Sequence, residues 1–318
     1  IGGITMLGKT AGGLFWMFRY LERSENTARL IEAGFRIALT RPDSSADEWA
    51  SVLDTAGVRG LFDMAGGTYD GASVVDFLLR DPANPSSILT SINAARSNAR
   101  MVRTALTREV WEAVNESWMT LTDTLRRPVR EADLPGVLSL IRRQSALVRG
   151  SMHGSMLRND IYDFSRLGTF IERADNTARI LDVKYYVLLP SFTQIGSSLD
   201  NVQWETILRS VAGERAFRWL NGPDINPKGI AEFLILDGRM PRSLKFCMSK
   251  MSDNLTDLEQ DYGTELQSLK LAKTLRTNMS KGGIDGIFDE GLHEVLTQFL
   301  TDTAQLGALI EQDFRFYG

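Results

Sequence analysis

A thirteen-residue stretch occurs twice in this chain, and any fold must place both copies. YLERSENTARLIE at 20–32 returns as FIERADNTARILD at 170–182. Glu22, Arg23, Asn26, Thr27, Ala28 and Arg29 recur as Glu172, Arg173, Asn176, Thr177, Ala178 and Arg179. The other pairs exchange like for like, Glu25 with Asp175 and Glu32 with Asp182. Two more blocks follow in the same order at a nearly constant offset. DEW at 47–49 resembles VQW at 202–204, and FLLRDPANPSSI at 77–88 aligns with FLILDGRMPRSL at 233–244. Self-similarity at fixed spacing signals a doubled structural unit. A tandem duplication is expected, with halves of 6–150 and 151–318 inside one helical domain.

The periodicity is helical almost throughout. Leu14, Phe18, Leu21, Ala28 and Ile31 recur at three-, four- or seven-residue steps over 11–39. An equivalent helix is expected from Asp160 to about Leu189, ahead of Pro190. Further helices are expected near 46–56, 86–106, 109–126, 134–155, 203–220, 241–261, 262–278 and 287–314, with Pro241 at a first helical position. Linkers fall at 40–45, 80–86, 127–135, 190–200, 221–228 and 280–286, where Pro, Gly, Asn and Asp gather. Alternating strand patterns are nearly absent. The fold class is therefore all-α, a bundle of antiparallel helices with pseudo-twofold symmetry and a core shared between halves.

On a helix Glu22, Asn26 and Arg29 share one face, as do Glu172, Asn176 and Arg179. An exposed i, i+4 ion pair contributes only about 0.3–0.5 kcal/mol, too little to account for a pattern retained twice with its Asn and Thr. Two readings stay open. In the first, the duplicated helices face each other and Glu22 and Arg29 pair reciprocally with Arg179 and Glu172, a lock fixing register. In the second, the seam is a polar pocket in which the arginines hold a carboxylate and Glu22 or Glu172 acts as acid–base residue. Arg96, Asn98 and Arg100 form a further polar patch on one helix, read as a solvated face or an acidic-group site.

Composition narrows the function classes. A formal net charge of −4 gives no basic surplus for nucleic acid or an anionic membrane. One cysteine excludes an intrachain disulfide and fits a reducing, cytoplasmic setting. No apolar run approaches the roughly 20 residues that span a bilayer, and no signal-peptide stretch is legible. Met6 reads as a natural start, which leaves 1–5 as a tag or upstream extension.

The run MLGKTAGGLFWMFRYLERSENTARLIE (6–32) resembles the start of the bacterial alpha-E family. SINAARSNARMVR (91–103), MLRNDIYDFSRLGTFIERADNTARILD (156–182) and the FL-x2-D-x3-P-x-S segment at 233–243 extend the resemblance over nearly the whole chain. It implies an all-helical protein associated with circularly permuted ATP-grasp proteins and transglutaminase-like proteases, hence a role in forming or processing amide-linked peptides. The polar residues it carries over are Glu22, Arg23, Asn26, Arg29, Arg96, Asn98, Arg100, Arg158, Glu172, Arg173, Asn176 and Arg179.

Other motifs lack their context. Gly3 to Thr10 satisfies the Walker A spacing, but with Ile1 and Gly2 ahead of it no strand is expected to deliver the loop, so no nucleotide cofactor is expected there. Glu290 and His293 have the Glu-x-x-His spacing of di-iron bundles, which need a second such element. Gly150 stands three residues before His153 where the second glutamate belongs. A di-metal carboxylate bundle is therefore the weakest reading, and no metal ligands are assigned. Cys247, between Phe246 and Met248, reads as core.

Overall fold

The computed structural model describes residues 6–40, 45–187, 198–223, 226–279 and 281–317. Among these the chain forms fifteen α-helices and no strand. They are α1 (Gly8–Thr40), α2 (Ser45–Ala56), α3 (Arg59–Met64), α4 (Gly71–Leu79), α5 (Ile88–Met101), α6 (Arg108–Thr124), α7 (Leu134–Ser155) and α8 (Asp160–Val187). The chain continues through α9 (Ser198–Ser210), α10 (Glu214–Asn221), α11 (Pro227–Leu236), α12 (Leu244–Tyr262), α13 (Gln267–Asn278), α14 (Gly283–Glu290) and α15 (Leu292–Asp313). No helix among the described residues is long and apolar enough to cross a membrane. The expected end of the second long helix at Pro190, the linkers near 41–44 and 190–197, and Gly3 lie outside the described residues.

The long expected helices exist, with boundaries corrected by single residues. Gly291, at φ 106°, separates α14 from α15 where one helix was expected. Ala212, at φ 55°, and Gly213 divide the stretch expected over 203–220. Pro241 is not the first residue of α12; it precedes Ser243, whose hydroxyl caps the helix by accepting from Phe246 N at 3.0 Å.

The same turn occurs before α5. Asp81 accepts from Ala83 N at 2.8 Å, and Ser87 caps by accepting from Thr90 N at 3.3 Å. Before α12, Asp237 accepts from Arg239 N at 2.8 Å. These turns set Ser86 and Arg242 at corresponding positions, one residue before each cap.

α1 and α8 form the most extensive helix–helix interface. Their contacts advance together, Phe15 against Gly168 and Glu22 against Arg173. These two helices therefore run parallel, contrary to the antiparallel arrangement expected throughout. A parallel pair requires a long connection, and α2 to α7 supply it. Short loops still give antiparallel neighbours: across α6 and α7, Thr107 meets Ser155 and Ser117 meets Gln144.

Gly168 makes the α1–α8 approach close. A Cβ there would stand 2.1 Å from the Phe15 carbonyl oxygen. Two apolar clusters flank the pair, and α1 feeds both. Ala11, Leu14 and Phe15 join residues of the second half. Met17, Phe18, Leu21, Ala28 and Ile31 join α2 to α7. That division accounts for a helix apolar on more than one face. Cys247 is a core residue, fully buried, and burial pushes its thiol up to about 12.

Where α8 packs on α12, Asp163 accepts from Asn254 Nδ2 at 2.7 Å in a cleft shared with Asp257 and Asp261. Burial, then Asp257 and Asp261, raise its carboxyl to about 6 against the opposing Asn254 hydrogen bond and Arg166. The folded state therefore holds a proton the unfolded chain releases nearer 3.8, and stability falls as pH rises through this window. Because the cleft is open to solvent, Asp163→Asn is expected to stabilise by only about 1–2 kcal/mol at pH 8 and by nothing at pH 3. Urea unfolding at both pH values checks it; an equal gain at both would exclude the ionisation as its cause.

Candidate functional site

The repeated segments meet at the α1–α8 interface, but their pairing differs from the expected one. Each carboxylate is clamped by the arginine that follows the partner glutamate. Arg173 donates from Nε and Nη2 to Glu22 Oε1 and Oε2, both at 2.9 Å. Arg23 donates to Glu172 Oε1 at 2.5 Å and Oε2 at 3.0 Å. Arg29 and Arg179 instead turn back along their own helices, to Glu25 at 2.8 Å and Asp175 at 2.8 Å. The i, i+4 spacing makes that intrahelical bond available at little entropic cost, whereas the Glu-Arg neighbours face the partner helix.

Around Glu22 the cluster is deep. Glu22 and Glu25 are each 1% exposed, Asn26 4% and Arg242 6%. Arg242, from the turn before α12, donates to Glu25 and to Asn26 Oδ1 at 2.9 and 2.8 Å and forms an ion pair with Glu22 at 2.9 Å. Arg149 of α7 closes the far side against Glu22 and Glu25. Burial alone would raise the Glu22 carboxyl, yet Arg173, Arg242 and Arg149 outweigh it and hold the group far below its ordinary 4.5. Glu25 is lowered too, because Arg242, Arg149 and Arg29 overcome burial and the neighbouring Glu22. Arg242 is pushed down, burial outweighing its carboxylate partners.

Around Glu172 the cluster is shallower. Arg19 adds a bond at 3.1 Å, and the side chains of Arg19 and Arg23 remain 19% and 23% exposed. Burial opposes and Arg23 and Arg19 prevail, so Glu172 also lies below its usual value. Beside it opens a cleft of about 240 Å³ lined by Arg23, Asn26, Glu172, Asp175, Asn176 and Arg179, with Leu30, Val58, Leu78 and Ser86 among its walls. Asn26 Nδ2 is buried without a hydrogen-bond partner. Arg242 has only donors, so the Asn26 oxygen must face it and the amide NH2 is left over.

The seam thus assembles Glu22, Arg23, Asn26, Arg29, Glu172, Arg173, Asn176 and Arg179. Arg96, Asn98, Arg100 and Arg158 lie elsewhere. Arg96 stacks on Trp118 at 3.9 Å and donates to Asn115 at 3.1 Å. Asn98 bonds its own helix at Ala94 O, Arg100 is exposed, and Arg158 holds the carbonyls of Met156 and His153. His293 Nδ1 meets Asp182 at 2.6 Å.

Sequence reasoning missed Arg19, Arg149 and Arg242. Arg242 left a weak signal, being one of several positions at which the aligned blocks differ, opposite Ser86. Arg149 left none, since it comes from a helix outside the aligned blocks.

Fold and site together define an all-helical protein whose two longest helices are joined by a reciprocal glutamate–arginine exchange. The chain belongs to the Alpha-E family, described as a predicted alpha-helical domain with a conserved ER motif, which it matches over residues 6–314. Here both copies of the repeat carry a Glu-Arg pair, at 22–23 and 172–173, and a further one occurs at 214–215, outside the repeat. Relatives include an uncharacterized protein of Mycobacterium bovis and uncharacterized proteins of two Mycobacterium tuberculosis strains. Each is 23% identical over 315 residues, 90% of this chain. The chain spans only about a third of their length, 34%. No solved structure matches it.

Proposed function

We propose that this chain is a non-catalytic helical partner of an ATP-grasp amide-ligating system acting on peptides, and that its duplicated Glu-Arg seam is a lock rather than an acid–base centre. The observation carrying the reading is the state of the two glutamates. Proton transfer calls for a carboxyl titrating near working pH. Glu22 and Glu172 are each held bidentately and displaced to lower values. A carboxylate fixed in its ionised form by guanidinium groups suits register and rigidity.

Two observations support the partner role. Resemblance to the alpha-E family implies ATP-grasp and transglutaminase-like neighbours. The mycobacterial relatives carry this domain within proteins about three times as long, as expected of a module that works beside others. The matching turns before α5 and α12 and the reciprocal exchange support reading the halves as copies about a pseudo-twofold axis.

Co-expression with a circularly permuted ATP-grasp protein tests the reading. The two are expected to copurify, and amide formation by the pair is expected to survive Glu172→Gln. Loss of product by a Glu172→Gln protein that still folds and binds its partner would return the seam to catalysis.

A further inference from the structure

The cleft beside Glu172 is the place that an arginine fills in the other half of the molecule. Turns with the same hydrogen bonds put Arg242 before the Ser243 cap and Ser86 before the Ser87 cap. Arg242 inserts its guanidinium among Glu22, Glu25 and Asn26. Ser86 cannot reach so far, and it lines an open cleft with Glu172, Asp175 and Asn176. The carboxylates show the same difference. Glu22 Oε1 takes both Arg173 Nε and Arg242 Nη1, whereas Glu172 Oε1 takes Arg23 Nε.

We propose that this cleft binds a guanidinium group, and that its ligand is an arginine, either the free amino acid or an arginine side chain of a peptide. The guanidinium takes the place that Arg242 holds opposite, against Glu172, Asp175 and Asn176. Leu30, Val58 and Leu78 give the aliphatic stem an apolar wall. The buried Asn26 Nδ2 needs an acceptor, which the carboxylate or carbonyl of an arginine residue supplies. A volume of about 240 Å³ suits one amino acid and lies below the roughly 300–1,000 Å³ of drug-sized sites.

A further positive charge beside Arg23 and Arg179 has a precedent in the same molecule. Glu22 and Glu25 are surrounded by Arg29, Arg149, Arg173 and Arg242. Glu172 and Asp175 have Arg19, Arg23 and Arg179, so one guanidinium brings the second site to the composition of the first. The inference does not depend on the ATP-grasp partner.

Calorimetric titration of the intact chain tests it, using L-arginine, acetyl-arginine-amide as a peptide mimic, and L-citrulline as the uncharged isostere. Saturable binding of arginine or its capped form is expected, with citrulline at least about tenfold weaker because the charge-assisted bonds are lost. Tighter binding of free arginine assigns the ligand as an amino acid; tighter binding of the capped form assigns a peptide side chain. Ser86→Arg is expected to fill the cleft from within, abolishing binding while the circular dichroism spectrum stays unchanged and the melting temperature holds or rises. Failure of both arginine ligands to bind, citrulline binding equally well, or undiminished binding by a folded Ser86→Arg variant would each overturn the proposal.

Discussion

Glu22→Gln is expected to destabilise the fold by about 3–5 kcal/mol, and Glu172→Gln by only about 1–2 kcal/mol, although the two glutamates sit in near-identical sequence. The difference comes from what each leaves behind. Without the Glu22 charge, Arg173 stays buried at 9% exposure with its paired carboxylate gone, and Arg242, at 6%, keeps only Glu25, which it shares with Arg29 and Arg149. Removing one partner from a buried network imposes the full desolvation cost on those that remain. Without the Glu172 charge, Arg19 and Arg23 can rehydrate, and each keeps an aromatic surface, Trp16 at 4.5 Å and Tyr20 at 5.6 Å. Denaturant unfolding of both variants at pH 7 makes the comparison.

The pH dependence adds a second signature. The Glu22 carboxyl is depressed in the folded state, so its contribution is complete above the unfolded value near 4.5 and is lost as pH falls below it. The gap between wild type and Glu22→Gln is expected to be constant from pH 8 to pH 6 and to narrow below pH 4.5. Equal losses for Glu22→Gln and Glu172→Gln would show that the two clusters are alike in depth, contrary to the burial described.

The sequence made legible whatever repeats or oscillates. Helical periodicity located α1, α5, α6, α7 and α12, and the doubled ER-x2-NTAR segment named the residues that meet at the α1–α8 seam. It did not name their partners. Glu22 and Arg29 share a helix face, which suggested that both cross the interface, yet Arg29 pairs with Glu25, one turn back on its own helix, at 2.8 Å. Parallel packing of α1 and α8 was hidden because direction is set by the helices between them, not by local pattern. Arg149 could not be found at all, since tertiary packing alone brings α7 over the seam. Arg242 was visible only as one of several mismatches in an aligned block, where Ser in one copy and Arg in the other decides whether one site is filled and the other open.

Gly168→Ala is expected to destabilise by about 3 kcal/mol or more, whereas Gly150→Ala is expected to stabilise by about 0.5–1 kcal/mol. Both glycines lie inside helices, so intrinsic propensity favours alanine at each. At Gly150 of α7 nothing lies within 4 Å of the added Cβ, and propensity acts alone. At Gly168 the Cβ would meet the Phe15 backbone, with the carbonyl oxygen at 2.1 Å and its carbon at 2.9 Å. Backbone cannot rotate aside as a side chain can, so α1 and α8 must separate.

One turn further along α8 stands Glu172, and one turn beyond Phe15 stands Arg19, 3.1 Å apart across the same interface. A displacement of α1 therefore lengthens the glutamate–arginine bonds as well as loosening the apolar contact. The loss for Gly168→Ala should for that reason be less than additive with Glu172→Gln, because the first substitution has already weakened what the second removes. Urea unfolding of the two single variants and the double variant measures the coupling. Strict additivity would mean that the close approach at Gly168 and the charged seam are independent, and that the spacing of the two helices is set elsewhere.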